Sequence, residues 1–212
     1  KPEARARAGA VEAVLHWKPD DVKERILVLQ QLAFTLQQKL FSSTTNIYGD
    51  PLCCTGSDEL AKMLPPEWPS ECPAGMTTEG LRRGFIDWLA GPAGLLIDDR
   101  GGLRFAHLSL QEYLAACALD SALTEDANVA EVFSKAVNNV RWWETLQLFA
   151  ARLSQHRPLA LEKGLEALFN VNDMGKAAAL AGTVMASGRG SATQFDRLID
   201  LLPELIAIDW SD

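Results

Sequence analysis

Apolar positions along the chain change period sharply between Phe105 and Ala116. Leu103, Phe105 and His107 alternate with Arg104 and Ala106 at the period of two that marks a half-buried strand. From Ser109 onward Leu110, Tyr113, Leu114, Cys117 and Ala118 recur at helical spacing, which predicts one buried stripe. Ser109 and Glu112 have the spacing of a capping box, so the helix is expected to start at Ser109 with the glutamate reaching back to the N-cap N–H. His107 then stands at the junction of strand and helix.

The same reading gives the remaining elements. Glu3 to Trp17 is alanine-rich around Val11, Val14, Leu15 and Trp17, and Pro19 stops it. A second helix starts at Asp20 and Asp21; Ile26, Leu29, Ala33, Leu36 and Leu40 form its stripe. Leu27, Val28 and Leu32 widen that stripe so far that the helix is expected to be central. Thr77 or Thr78 caps a helix bearing Leu81, Phe85, Trp88 and Leu89, and Gly91 and Pro92 end it. Strands are expected at Gly94–Ile97 and Leu103–Ala106, with Asp98 to Gly102 as the turn. Helix, helix, hairpin, helix is the order of a winged helix. Residues 42–76, with five prolines between Pro51 and Pro73 and a single helical patch after a possible Ser57 cap, read as an irregular surface insertion.

Beyond Leu123 the pattern is helical throughout. Helices are expected at Val129–Asn139, Trp142–Leu153, Pro158–Phe169, Asp173–Ser187 and Ala192–Ile208, the last kinked at Pro203. Breaks at Arg157-Pro158, Asn170–Asn172 and Gly188–Gly190 make neighbours short-linked hairpins, as in the first units of an α-solenoid. No residue-level repeat is present to fix that architecture.

Phe105, His107, Ser109, Leu110, Gln111, Glu112, Tyr113, Ala115 and Ala116 together resemble a signature near the end of the winged-helix domain of NACHT-type STAND signalling NTPases. Leu110 departs from it, since phenylalanine is more frequent there. The region of Trp17 is similar to the tail of the small helical domain that precedes that winged helix, and Arg141-Trp142-Trp143-Glu144 to the opening of the helical region that follows it. The resemblance implies a tail of a small helical domain over 1–18, a winged helix over 19–120 with the 42–76 insertion, and a helical domain over 121–212. It also implies a role. Such proteins fold closed around ADP and oligomerise on opening, so the expected function is the regulatory, non-catalytic part of a nucleotide-dependent switch in signalling or innate defence. The motif's histidine, here His107, is expected to contact the ADP β-phosphate. ADP or ATP would be the cofactor of the complete protein, an ATPase or NTPase, and an upstream nucleotide-binding domain the partner.

Composition narrows the alternatives. A net charge of −8 over 212 residues leaves no basic footprint for a phosphate backbone, which disfavours a DNA-binding winged helix; Arg82-Arg83 is the compact basic pair near a recognition helix. Cys53, Cys54, Cys72 and Cys117 lack paired C-x-x-C spacing and His16, His107 and His156 lie far from them, so no metal site is expected and the thiols suit a reducing cytoplasm. No apolar run approaches the roughly 20 residues of a membrane span. Lys1 opens on a helix already under way, as in a segment of a longer protein. There is no G-x-x-x-x-G-K-[ST] loop, Gly188-Arg-Gly-Ser191 reads as a helix connector, and no catalytic set is expected. A stand-alone helical protein-interaction module without nucleotide dependence is the alternative function.

Overall fold

The computed structural model describes Gly9 and residues 21–42, 56–72, 74–99, 102–123, 127–170, 174–186, 193–194 and 196–200. The expectations for the Glu3–Trp17 helix, Cys53-Cys54, Gly188–Ser191 and Pro203 lie outside these residues. Among the described residues the fold is mainly helical with one two-stranded antiparallel sheet. Two compact units, residues 1–115 and 116–212, divide the chain.

In the first unit, α1 (Asp21–Ser42) buries Val28, Leu32, Ala33 and Leu36. Ile26 and Leu27 are 46% and 56% exposed, so α1 is one-sided rather than central. Geometry explains the correction. At about 100° per residue Ile26 lies roughly 200° around the helix from Val28, on the far side of the face that finds partners.

The partners come largely from the 42–76 stretch. Its described part forms α2 (Ser57–Met63) and a turn, and Leu60, Ala61, Leu64 and Trp68 are buried in the same apolar cluster as α1. These residues are core, not a surface excursion. Ser57 does not cap α2: the Gly56 carbonyl accepts from Glu59 and Leu60 at 3.0 Å each, which places Ser57 inside the first turn, and its hydroxyl bonds Asp87 Oδ1 at 3.2 Å.

The following helix, α3 (Thr78–Ala90), begins as expected, with Thr77 Oγ1 accepting the Gly80 N–H at 3.1 Å. It buries Leu81, Phe85, Ile86 and Leu89; Phe85 packs between Trp68 (centroids 5.0 Å) and Trp88 (5.9 Å). Past its end Gly91, Ala93 and Leu95 donate back to the carbonyls of Asp87, Trp88 and Leu89, and Gly94 takes the positive φ of 62° that glycine tolerates.

That curl delivers the chain into β1 (Leu96–Asp99), paired with β2 (Gly102–Phe105) in the register Leu96↔Phe105, Ile97↔Arg104, Asp98↔Leu103 and Asp99↔Gly102. Asp98 and Asp99 therefore belong to the strand and not to the turn. Burial of Leu96 and Phe105 on one face sets the register and overrides the turn preference of aspartate. On the other face Arg104 Nε donates to Asp99 Oδ2 at 2.7 Å, a diagonal pair.

The helix α4 (Leu108–Ala122) spans the division between the units. In the second unit follow α5 (Ala127–Ala136), a 3₁₀ turn (Val140–Trp142), α6 (Trp143–His156), α7 (Pro158–Phe169) and α8 (Met174–Val184); residues 196–200 are also helical. Asn139 Oδ1 accepts from the Arg141 N–H at 3.1 Å and opens the 3₁₀ turn. Pro158 starts α7 at a position where its missing N–H costs nothing. Phe133 of α5 meets Phe149 of α6 with centroids 6.0 Å apart. Arg152 donates to Asp120 Oδ2 at 2.8 and 3.0 Å, and Arg157 to the Leu123 carbonyl at 3.0 Å.

Candidate functional site

The site is the start of α4, where a strand end and a helix beginning hold two residues, Ala106 and His107, between them. The Ala106 N–H donates to the Leu95 carbonyl at 2.9 Å, which extends the hairpin by one bond. The His107 carbonyl then accepts from the Leu110 and Gln111 N–H groups at 3.2 and 3.3 Å. A residue whose carbonyl takes the first intrahelical bonds is the N-cap. His107 is thus the N-cap of α4, and Ser109 lies in the first turn. The predicted capping box is corrected accordingly: Ser109 lies two residues past the N-cap, and Glu112 is a buried residue within the helix.

The nine residues of the motif separate by burial. Phe105, Gln111, Glu112, Ala115 and Ala116 are buried, Leu110 is partly so, and His107, Ser109 and Tyr113 are exposed. Tyr113, at 46% exposure, does not join the stripe in which the apolar spacing placed it; Leu114, Cys117 and Ala118 do. The exposed imbalance toward the N-terminal end is what gives the site its chemistry. An imidazole with its backbone fixed on both sides stands at the positive end of a 15-residue helix, beside first-turn N–H groups that lack intrahelical partners. Such an end suits an anionic oxygen.

One participant was missed by spacing alone. Gln111 Nε2 donates to Gln37 Oε1 of α1 at 2.9 Å, with both side chains nearly inaccessible (3% and 1%). The signal existed: Gln37 stands four residues after Ala33 and one after Leu36, a polar residue on the buried face of α1.

The basic pair on α3 is engaged within the fold. Arg82 donates to the Trp68 carbonyl at 2.7 Å and to the Pro65 carbonyl, and Arg83 pairs with Asp58 at 2.9 Å and Glu79 at 3.1 Å. Comparison adds nothing to this geometry. The chain matches no family model, no curated protein and no solved structure. Among the described residues no group of three or more His, Cys, Asp or Glu side chains is placed to hold a metal ion, and no helix is long and apolar enough to cross a membrane. Cys117 is a buried free thiol and Cys72 an exposed one.

Proposed function

We propose that this chain is the regulatory, non-catalytic part of a NACHT-type nucleotide-dependent switch, with a winged helix over residues 19–120 and a helical, solenoid-like domain after it. The observation that carries the reading is the burial pattern of the motif. Five of its residues anchor in the interior, and His107 is left exposed at the N-cap of α4, where an imidazole N–H can donate to the β-phosphate of ADP. Order of elements supports the winged helix: among the described residues α1, α2 and α3 precede the hairpin and α4 follows it. The nucleotide itself would be cradled by a separate nucleotide-binding domain, and opening of that contact would permit oligomerisation. Cytoplasmic signalling or innate defence is the setting this reading implies.

The test is direct. The complete natural protein is expected to purify with ADP as a monomer, whereas residues 1–212 are expected to bind ADP too weakly for micromolar calorimetry. One charge-assisted hydrogen bond contributes about 1.5–3 kcal/mol, against roughly 8 kcal/mol for micromolar affinity. Micromolar ADP binding by residues 1–212, or a natural protein without any nucleotide, defeats the proposal. A stand-alone interaction module is the second reading, favoured by the exposed apolar side chains Val22, Ile26 and Leu27 on α1.

A further inference from the structure

Gln111 is bonded at both of its ends. Its backbone N–H donates to the His107 carbonyl one helical turn earlier, and its side-chain amide donates to Gln37 across the interior. The two helices also share an apolar cluster, with Leu32, Ala33 and Leu36 of α1 and Leu114 of α4 as members and Leu110 packed against it. Apolar contacts are non-directional, and by themselves they tolerate small rotations and slides of one helix on another. A buried amide does not. Turning α4 by one residue, about 100°, would leave two amides in a low-dielectric interior without each other. In coiled coils a single buried polar residue fixes the register even though apolar residues there would be more stabilising.

We infer that Gln37, 74 residues before Gln111 and outside the motif, is the positioning residue that pins the register of α4 and thereby orients His107. The register claim stands on the geometry; what His107 then contacts rests on the switch reading above. Gln37→Leu leaves the Gln111 amide buried without this partner, so the melting temperature falls and the first turn of α4 loosens. The informative variant is Gln37→Leu with Gln111→Leu. It recovers wild-type thermal stability, yet amide exchange at residues 110 and 111 is about tenfold faster than in wild type, and the His107 ring gives more than one set of NMR signals. A double variant with wild-type exchange and a single His107 signal overturns the inference. Unfolding of both this variant and Gln37→Met/Gln111→Met also overturns it, by making the pair a prop the fold requires. In the complete protein the double variant sheds ADP faster than wild type. Unchanged ADP retention in this variant alone refutes the positioning role, whereas unchanged retention in His107→Ala as well refutes the switch reading.

Discussion

Between Gly56 and Phe105 arginine side chains hold backbone carbonyls left over by turns and strand ends, while between Ala127 and Phe169 two helices meet closely at a glycine. In the first region Arg82 serves the carbonyls of Pro65 and Trp68, Thr77 caps α3, and Arg104 bonds both Asp99 and its neighbour's carbonyl. In the second, α5 and α7 approach so closely that a Cβ on Gly164 would lie 2.9 Å from both Phe133 Cδ2 and Val129 Cγ1. The difference teaches where each is vulnerable. A region built on side-chain bonds is broken by taking atoms away, and one built on close helix contact is broken by adding them.

The largest effect that sharpens this contrast is expected at Arg82. Arg82→Met leaves two carbonyls without their charged donor, which costs about 1.5–3 kcal/mol. Urea denaturation monitored at Trp68 and Trp88 reads the loss; a change below about 0.5 kcal/mol, ordinary for surface sites, would contradict it.

Next comes Gly164→Ala. In an open helix this change gains roughly 1 kcal/mol of propensity, but overpacking costs about 1–3 kcal/mol, so a net loss of up to about 2 kcal/mol is expected. Gly182→Ala, inside α8 with its nearest atom an ordinary 3.5 Å away, is the control and is neutral or stabilising. Stabilisation by Gly164→Ala would show that α5 yields easily and the contrast is wrong.

The smallest effect concerns Glu131 and Lys135, an exposed pair one turn apart on α5. The hydrogen bond from Lys135, aided by its charge, holds the Glu131 carboxyl below its usual value. A depressed carboxylate contributes stability that is present above its unfolded pKa and lost as pH falls through the folded one. Lys135→Met should therefore raise the Glu131 titration midpoint by NMR and remove a small contribution present at neutral pH but not at acid pH, flattening the acid limb slightly. A midpoint left unmoved would show the pair to be absent in solution.

Legibility in the sequence followed the range of the interaction. Pro158 to Phe169 was readable end to end, because proline at the first position and the Asn170 stop are local signals. The Thr77 cap was readable for the same reason. The hairpin was placed about two residues too early in its first strand, since the turn preference of Asp98 and Asp99 is local and the Leu96–Phe105 pairing that overrules it is not. Proline density around Trp68 concealed a core segment whose carbonyls are satisfied by an arginine on the next helix. At the candidate site the motif gave His107 and its junction, but local spacing set the helix start on Ser109, two residues after the true N-cap. Gln37 was legible only as a polar residue on the buried face of α1; its partner, 74 residues away, was beyond reach of any local pattern.

The central claim, that His107 latches the nucleotide-held closed state, is tested most directly by the ADP dissociation rate of the complete protein carrying His107→Ala, with Ser109→Ala alongside. Losing one charge-assisted hydrogen bond of about 1.5–3 kcal/mol shifts the closed population roughly tenfold to hundredfold, so His107→Ala should release ADP faster by that factor and oligomerise without a trigger. Ser109→Ala, which removes an exposed hydroxyl inside the first turn, should retain ADP nearly as wild type does. An ADP dissociation rate for His107→Ala equal to that of wild type, in a protein that remains monomeric, would contradict the claim.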